Sequence, residues 1–436
     1  MQNTIAFLLA GGEGTRLGDI SKSIPKPLVP FAGRYRLIDF PLSNAMQSGI
    51  KRLGVLVQAN QKSIIDYLNR GELWGFRRPD TELLLLPSKS GWGYNGNYRG
   101  TADAVRQNLD LVHDDPDCEN VLILSSDHIY NMDYNKLLDF HKRHNADVTV
   151  SVIDVPLRDS NKFGIIHRDT NNRIVEWEEK PRHSTSRLAS MGIYVFSKEF
   201  LTEALRKGEG HDFGHHVIPF AIRNASIYAY KFDGYWQDVG TPDSYWQASM
   251  DILNPSNNIF LEEWQIETNR YYNINLKDNK NNHGYIVSPA VISNSIISDH
   301  CEIEGRVFNS ILFPGVRVAK KAEIRNSIIM NDCIIAPNSR VGNAILCNNV
   351  TIGKNTIISS SKSYIQKFSR IDSDINGLIV IGENTSIKPG QWINKNAVST
   401  KESESLRYPN TEQPERFPVS EDELISREML RYGNPE

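Results

Sequence analysis

Four kinds of feature are scarce or missing in this sequence of 436 residues. Its four cysteines lie far apart and form no Cys-x-x-Cys pair, which argues against a zinc site and a disulfide scaffold. No run of about 18 apolar residues occurs, so no membrane-spanning helix is predicted. The formal net charge is −3 and there is no concentrated Lys/Arg run, which disfavours nucleic acid and anionic membranes as partners. We therefore expect buried, reduced thiols and small-molecule substrates.

A secretory signal is also missing at the N-terminus. The first residues carry no charged stretch, apolar stretch and cleavage site in sequence, so we expect a cytoplasmic protein. The chain is too long for one ordinary domain and suits two.

Short apolar runs and helical stretches alternate over the first 250 residues or so. Buried strands are predicted at residues 4–10, 53–57, 121–124 and 148–155. Helices are predicted between them, at residues 102–112 and 134–144. This alternation is typical of an α/β domain built on an open, mostly parallel sheet. We assign this domain to residues 1–254.

The pattern changes after a polar, Asn-rich segment, residues 255–284, which we interpret as a linker. Beyond it, aliphatic residues recur at every sixth position, at Val291, Ile297 and Ile303, at Ile329, Ile335 and Val341, and at Ile352 and Ile358. This period predicts a stacked β-solenoid over residues 285–400, with these side chains pointing inward. Ordinary strands in a sandwich are the alternative. The charged tail, residues 401–436, is expected to be peripheral.

A glycine-rich loop follows the first predicted strand, at Gly11, Gly12 and Gly14. Backbone without side chains can approach phosphate oxygens and present its N–H groups to them. The loop lacks the Gly-x-Gly-x-x-Gly spacing of the dinucleotide fingerprint and the Gly-Lys-Ser/Thr ending of a P-loop. Arg16 and Lys26 would supply fixed cations beside a triphosphate. Either cation alone is better interpreted as solvated surface charge, but with the glycines they predict a nucleoside triphosphate site.

Two aspartates are candidate metal ligands. Asp127 follows the predicted strand at 121–124, so it would lie at a carboxyl end, where open α/β sheets bind ligands. Asp238 lies in a Gly/Trp-rich turn. Two carboxylates beside a triphosphate suit Mg²⁺, which is usually held by one or two carboxylates, waters and phosphates. A turn aspartate is the alternative for Asp238 taken alone.

A series of longer motifs runs through the same part of the chain. They are residues 35–40 (Tyr-Arg-Leu-Ile-Asp-Phe), 98–105 (Tyr-Arg-Gly-Thr-Ala-Asp-Ala-Val), 127–130 (Asp-His-Ile-Tyr), 163–165 (Phe-Gly-Ile), 179–181 (Glu-Lys-Pro), 189–196 (Ala-Ser-Met-Gly-Ile-Tyr-Val-Phe) and 235–241 (Tyr-Trp-Gln-Asp-Val-Gly-Thr). In content and order they resemble the bacterial glucose-1-phosphate adenylyltransferases, also called ADP-glucose pyrophosphorylases. The resemblance implies a nucleotidyltransferase domain of dinucleotide-binding type, a left-handed parallel β-helix after it, and assembly into tetramers, homomeric or hetero-oligomeric.

The resemblance also implies roles for individual residues. The implied catalytic residues are Arg16, Lys26 and Asp127, and the implied ligands of Mg²⁺ are Asp127 and Asp238. The residues implied to contact the nucleotide are Gly11, Gly12, Gly14, Tyr98, Gly100 and Thr101. The residues implied to contact the sugar phosphate are Gly164, Glu179, Lys180, Ser190, Asp212, Phe213 and Trp236.

The implied reaction joins ATP and glucose 1-phosphate to give ADP-glucose and pyrophosphate, for glycogen synthesis. A phosphate monoester has a second pKa of about 6, so the attacking oxygen is already ionised at neutral pH and needs no general base. Two alternatives stay open. One is a catalytically silent regulatory subunit of a hetero-oligomer, and the other is a synthase that uses another nucleoside triphosphate.

Regulation is where the sequence departs from the family. Many relatives carry a basic pair that helps to bind a sugar-phosphate activator, whereas this chain has Ser23 and Ile24 there. Asn97 stands where the family often has a tryptophan linked to activator signalling, while Gln58 matches the other signalling position. A neutral pair cannot replace two cations as an anion site. We therefore expect weak or altered activation by fructose 1,6-bisphosphate.

Overall fold

A computed structural model describes residues 3–12, 14–58, 62–76, 78–89, 97–207, 210–269, 285–360 and 377–394. The tail predicted at 401–436 and residues 270–284 of the predicted linker lie outside the described residues. Among the described residues, no helix is long and apolar enough to cross a bilayer.

Thirteen strands precede residue 240 in the described part of the chain. They are β1 (Thr4–Leu9), β2 (Pro30–Phe31), β3 (Tyr35–Arg36), β4 (Arg52–Val57), β5 (Glu82–Pro87), β6 (Asn120–Ser125), β7 (His128–Tyr130), β8 (Val148–Asp154), β9 (Gly164–Arg168), β10 (Ile174–Glu179), β11 (Leu188–Ser197), β12 (Ile227–Lys231) and β13 (Trp236–Asp238).

Helices flank these strands. They are α1 (Asp39–Gln47), α2 (Lys62–Leu68), α3 (Thr101–Arg106), α4 (Asp110–His113), α5 (Tyr134–Arg143), α6 (Lys198–Lys207), α7 (Ile218–Asn224) and α8 (Pro242–Leu253). Short 3₁₀ segments cover Thr15–Ser21, Lys26–Leu28, Asn69–Trp74, Leu157–Lys162 and Pro255–Asn257, and one π turn covers Phe213–Val217.

A nine-stranded mixed sheet organises this first part. Its main path runs β10-β9-β11-β6-β1-β4-β5, and β8 joins β11 and β12 beside it. Strands β6, β1, β4 and β5 are parallel, so their carboxyl ends share one edge. The aliphatic side chains of β6, β1 and β4 are buried on both faces, which is the pattern of parallel strands covered by helices. The predicted α/β class is confirmed, and the shared edge is where the ligand cleft lies.

The helix predicted at 102–112 is wrong in one respect, because the structure breaks it into α3 and α4. Asn108 lies at the break. Its Nδ2 donates to the carbonyl of Ala104 at 2.8 Å and to the hydroxyl of Tyr98 at 3.0 Å. An asparagine side chain that bonds to nearby backbone competes with the helical ladder. The break ties α3 to Tyr98, which lies in the cleft.

A two-stranded ribbon brings distant parts of the chain together. Strands β7 and β13 pair antiparallel, with Asp238 opposite His128 and Trp236 opposite Tyr130. Asn44 of α1 holds this ribbon from behind, since its Nδ2 donates to the carbonyl of Tyr130 at 3.2 Å. The register places the two predicted metal carboxylates, which are more than a hundred residues apart in sequence, side by side.

A parallel β-helix follows. Its strands are β14 (Tyr285–Ile286), β15 (Val291–Ser293), β16 (Ile296–Ile297), β17 (Glu302–Ile303), β18 (Arg306–Phe308), β19 (Ile311–Leu312), β20 (Arg317–Val318), β21 (Glu323–Arg325), β22 (Ile328–Ile329), β23 (Ile334–Ile335), β24 (Arg340–Gly342), β25 (Ala344–Leu346), β26 (Thr351–Ile352), β27 (Ile357–Ile358), β28 (Ile379–Ile381), β29 (Ser386–Ile387) and β30 (Trp392–Ile393). They form three parallel sheets, each taking every third strand, so the predicted solenoid is confirmed and the sandwich is wrong.

One inward position of the solenoid differs from the prediction. Val291 is 44% exposed, whereas its neighbour Ile292 pairs with the buried Val307 of the next coil. Successive side chains of a strand point to opposite faces, so a shift of one residue exchanges inside for outside. The spacing from Ile292 to Ile297 is therefore five rather than six. The positions predicted from residue 329 to residue 358 are buried as expected.

The β-helix packs directly against the first part of the chain. One apolar cluster contains Phe31 and Tyr245 from the first part and Ile311, Ile328 and Ile345 from the β-helix. The indole nitrogen of Trp246 in α8 also donates to the carbonyl of Asn326 at 2.8 Å. The two parts thus share a core.

Candidate active site

A cleft of about 290 Å³ lies at the carboxyl ends of β1, β4 and β6. Its walls come from the loop after β1, the end of β4, the start of α3 and the segment after β6. Eight residues proposed from the sequence line it, namely Gly11, Gly12, Lys26, Gln58, Tyr98, Gly100, Thr101 and Asp127. The structure thus brings the predicted triphosphate loop and the first metal carboxylate into one cavity.

Glycine is needed at different positions of the loop for different physical reasons. A Cβ at Gly12 would have no heavy atom within 4 Å, so Gly12 borders open space in the cleft. Gly14 has φ of 70°, and a Cβ there would lie 2.9 Å from the Cβ of Lys26. Gly14 therefore lets the loop turn and pack against Lys26, whereas Gly12 leaves room for a ligand.

The opposite wall is built at the start of α3. The carbonyl of His211 accepts hydrogen bonds from the backbone N–H groups of Ala102 and Asp103, and a Cβ at Gly100 would collide with that carbonyl. Thr101 donates to Asp212 Oδ2 at 3.0 Å. Gly100 is therefore required by close backbone packing, and Thr101 links the predicted nucleotide wall to the predicted sugar region.

Gln58 and Tyr98 form one unit at the end of β4. Gln58 Oε1 accepts from the backbone N–H of Tyr98 at 2.9 Å. The Tyr98 hydroxyl donates to the carbonyl of Leu86 at 2.9 Å, and burial raises the pKa of Tyr98 to about 12. Gln58 was predicted for regulatory communication, and it lies in the cleft wall itself. Asn97 is half-buried and directly precedes Tyr98.

The two predicted metal carboxylates lie together with a histidine. Ligand atoms of Asp127, His128 and Asp238 all lie within 4.8 Å of one another. His128 Nε2 is 3.2 Å from Asp127 Oδ1 and 3.9 Å from Asp238 Oδ1. Sequence reasoning missed His128, although it adjoins Asp127 in the motif at 127–130. Two carboxylates facing one point fit a hard divalent cation such as Mg²⁺.

Lys26 contacts both carboxylates. Its Nζ lies 2.5 Å from Asp127 Oδ2 and 3.6 Å from Asp238 Oδ1. Burial alone would raise the pKa of Asp127, but the charges of His128 and Lys26 and the hydrogen bonds to its oxygens outweigh burial and hold that pKa well below its usual range. Asp127 is therefore an anion at neutral pH, as a metal ligand must be.

Two serines beside Asp127 were also missed by the sequence reasoning. Ser125 Oγ donates to Asp127 Oδ1 at 2.5 Å, and Ser126 Oγ donates to the carbonyl of Leu9 at 2.7 Å. Ser125 fixes the carboxylate, and Ser126 ties the end of β6 to the end of β1. Short hydroxyl side chains at a strand end carry no distinctive sequence signal.

Arg16 is placed differently from the other predicted residues. It is exposed, and it has no hydrogen-bond or ion-pair partner among the described residues. Its guanidinium Nη2 would lie 3.3 Å from a Cβ at Gly240, close to Asp238. Arg16 therefore lies near Asp238, one of the two predicted metal ligands, rather than in the lining of the cleft.

The predicted sugar-phosphate residues cluster around the ends of β9, β10 and β13. Gly164 pairs with Glu179, and Lys180 Nζ lies 3.0 Å from Glu179 Oε1. The Lys180 side chain is 56% exposed, so its ammonium can reach a ligand. Trp236 is buried, with its ring centroid 5.1 Å from that of His128 and its Nε1 without a partner in the described structure.

Two other predicted sugar residues make mainly internal contacts. Phe213 is 2% exposed and packs with its ring 5.7 Å from Tyr194 and 5.5 Å from Phe196. Ser190 Oγ donates to the Tyr194 hydroxyl at 3.4 Å. Phe213 is thus an aromatic residue of the core, and its contact with a sugar stays a prediction.

The fold and the site define a nucleotidyltransferase with a hexapeptide β-helix. Residues 5–255 match the family model for nucleotidyl transferases, and residues 278–396 match the model for the GlmU-like C-terminal hexapeptide. The glucose-1-phosphate adenylyltransferase of Pseudothermotoga lettingae is 44% identical over 408 residues, covering 91% of this chain and 94% of the relative.

Two further relatives share that description. The glucose-1-phosphate adenylyltransferase of Thermotoga maritima is 42% identical over 74% of this chain and 77% of its own length. That of Clostridium beijerinckii is 43% identical over 74% of this chain and 83% of its own length. The chain belongs to the glucose-1-phosphate adenylyltransferase family, as the motifs predicted.

Proposed function

We propose that the protein is a glucose-1-phosphate adenylyltransferase, which transfers the adenylyl group of ATP to glucose 1-phosphate, releases pyrophosphate and supplies ADP-glucose for α-glucan synthesis. The observation that carries this proposal is the meeting of the glycine loop, Lys26 and Asp127 in one cleft, with Asp238 Oδ1 3.6 Å from Lys26 Nζ, in a chain of this family.

The reaction needs positioning and charge neutralisation more than proton transfer. A phosphate oxygen of glucose 1-phosphate attacks the α-phosphorus of ATP, and the bond from that phosphorus to the β-phosphate oxygen breaks. The loop at Gly11 and Gly12 receives the phosphates, while Lys26 and Arg16 neutralise charge on the leaving pyrophosphate. Asp127 and Asp238 would hold Mg²⁺, which supplies electrostatic stabilisation of the phosphates.

The sugar phosphate is proposed to enter from the β9–β10 side. Lys180 offers an exposed ammonium for its phosphate, and Glu179 orients that ammonium at 3.0 Å. Thr101 bridges to Asp212, so the walls for both substrates are joined. This arrangement would place the attacking oxygen next to Asp127 and Asp238.

One experiment separates the proposal from its rivals. Purified protein with Mg²⁺ and glucose 1-phosphate is incubated with ATP, UTP, dTTP, GTP or CTP, and pyrophosphate release is measured. We expect release with ATP well above that with the other triphosphates. Preference for another triphosphate would replace ATP in the proposal, and no release with any of them would favour a silent subunit.

The side chains around Ser23 bear on whether a sugar-phosphate activator can bind there. Its hydroxyl donates to Glu383 Oε1 at 2.8 Å, and Asn348 Nδ2 donates to the same oxygen at 3.1 Å. Asp19 lies close by, next to Gly382. Two carboxylates repel a bisphosphate rather than bind it.

We predict that fructose 1,6-bisphosphate changes turnover less than about twofold, because Ser23 is neutral and the carboxylates of Glu383 and Asp19 lie beside this segment. Turnover is measured at subsaturating ATP over a titration of the sugar bisphosphate, with inorganic phosphate of matched ionic strength as the control. A large rise in turnover would contradict the prediction.

Assembly into a homotetramer, with a hetero-oligomer as the alternative, and residence in the cytoplasm stay predictions.

A further inference from the structure

Lys26 occupies the place that a metal ion would take between the two carboxylates. Its side chain is only 7% exposed, and its Nζ lies between Asp127 Oδ2 at 2.5 Å and Asp238 Oδ1 at 3.6 Å. A protein-bound Mg²⁺ lies about 2.0–2.1 Å from its oxygen ligands. A metal ion bound by both carboxylates would therefore enter the space that the ammonium group fills.

The second oxygen of Asp127 offers no easy alternative. Oδ1 accepts a hydrogen bond from Ser125 Oγ at 2.5 Å and lies 3.2 Å from His128 Nε2. A metal ion that binds Oδ2, the oxygen that Lys26 contacts, would therefore leave the hydrogen bond from Ser125 to Oδ1 in place. Because an ammonium group and a divalent cation at this distance repel each other, one must leave when the other arrives.

The ammonium group of Lys26 has a second place to bind close by, at the phosphate loop. The Cβ of Lys26 packs against Gly14 of this loop, so the start of the side chain is fixed beside the place where the triphosphate is proposed to bind. The four-carbon stem of a lysine is flexible, and its ammonium can move while the backbone stays in place. Rotation of the stem would turn the charge from the carboxylates towards phosphate oxygens.

We propose that Lys26 is the resident cation of the metal-free site, and that it exchanges with the divalent ion when the nucleotide enters. In the free protein its ammonium keeps Asp127 and Asp238 together and neutralises them. On binding of the metal and nucleotide, it passes to the triphosphate and leaves the carboxylates to the metal. This proposal rests on the metal assignment made for the proposed function.

The exchange predicts that Lys26 weakens metal binding when no nucleotide is present. Binding of Mn²⁺ alone to the full chain is measured by electron paramagnetic resonance for the wild type and for Lys26→Met. We expect the variant to bind Mn²⁺ at the site about tenfold more tightly, since a competing cation has been removed, in the range of ordinary coupling between two sites.

The controls separate charge and folding from exchange. Lys51→Met removes the same charge from a partly exposed lysine that pairs with Asp80, just before β4 and outside the lining of the cleft, and should leave Mn²⁺ affinity unchanged. If Met at position 26 prevents folding, Lys26→Gln keeps an amide donor without the charge. Addition of Asp127→Asn to either variant should abolish the tighter binding, which places the ion at this carboxylate.

Equal or weaker Mn²⁺ binding by the folded Lys26 variants would overturn the exchange. The absence of Mn²⁺ binding at Asp127 in every variant would overturn the metal assignment together with the exchange. Pyrophosphate release by the wild type reports separately on the proposed function, so failure of the exchange and failure of the activity are distinguishable.

Discussion

Asp127→Asn is expected to lower turnover by about 10²–10³, the usual loss when one preorganised electrostatic group is removed from a site that works by charge. Asp127 faces Lys26, Ser125 and His128, and its neighbours keep it ionised. An amide of the same shape cannot neutralise a divalent ion, so the loss should appear in kcat at saturating ATP and saturating Mg²⁺.

Pyrophosphate release at rising Mg²⁺ measures this effect, and Asp80→Asn provides the control. Asp80 is an exposed carboxylate paired with Lys51, so its loss changes the net charge by the same amount. Thermal unfolding of both variants checks that the fold is intact. Near-normal turnover of Asp127→Asn with saturating Mg²⁺ would remove Asp127 from the metal site.

Alanine substitutions at Gly14 and at Gly12 should impair the protein for different reasons. Gly14→Ala places a Cβ 2.9 Å from the Cβ of Lys26 at a φ of 70°, so it combines steric overlap with a left-handed backbone. Together these cost about 2–4 kcal/mol of the free energy of unfolding. Gly12→Ala meets no atom within 4 Å and should leave stability unchanged.

In Gly12→Ala we expect weaker use of ATP instead. The methyl group projects into the space proposed for the phosphates, and overlap of this kind costs about 1–3 kcal/mol, or roughly 5- to 150-fold in kcat/KM for ATP. Denaturant unfolding and initial-rate kinetics of both variants test the pair. A stable Gly14→Ala, or a Gly12→Ala with unchanged kcat/KM for ATP, would show that the loop does not work in this way.

The sequence was sufficient for the features that depend on local pattern. Asp127 follows a buried strand and Gly11 and Gly12 end another, so their position at one edge of the sheet could be predicted from the parallel topology. The family motifs added Tyr98 and supported the metal role of Asp238. The β-helix could also be predicted, because its inward-pointing aliphatic residues recur at nearly every sixth position.

The contacts that depend on long-range register were not predictable. Lys26 was recognised as a phosphate cation, but its ion pair with Asp127 and its approach to Asp238 require the β7–β13 ribbon and the turn at Lys26–Leu28 to meet. His128 was missed for the same reason. The prediction that Val291 points inward was wrong because a six-residue period cannot distinguish neighbouring residues of a strand, one of which points inward and the other outward.

The apolar cluster shared by α8 and the β-helix has a thermodynamic consequence. Ile311, Ile328 and Ile345 are fully buried, and part of what covers them is the side of the catalytic part that carries Tyr245. Loss of either part would expose the apolar surface of the other to water, and apolar exposure is unfavourable in proportion to its area. The two parts are therefore energetically coupled during unfolding. The β-helix is therefore expected to stabilise the part of the chain that carries the cleft rather than to unfold independently of it.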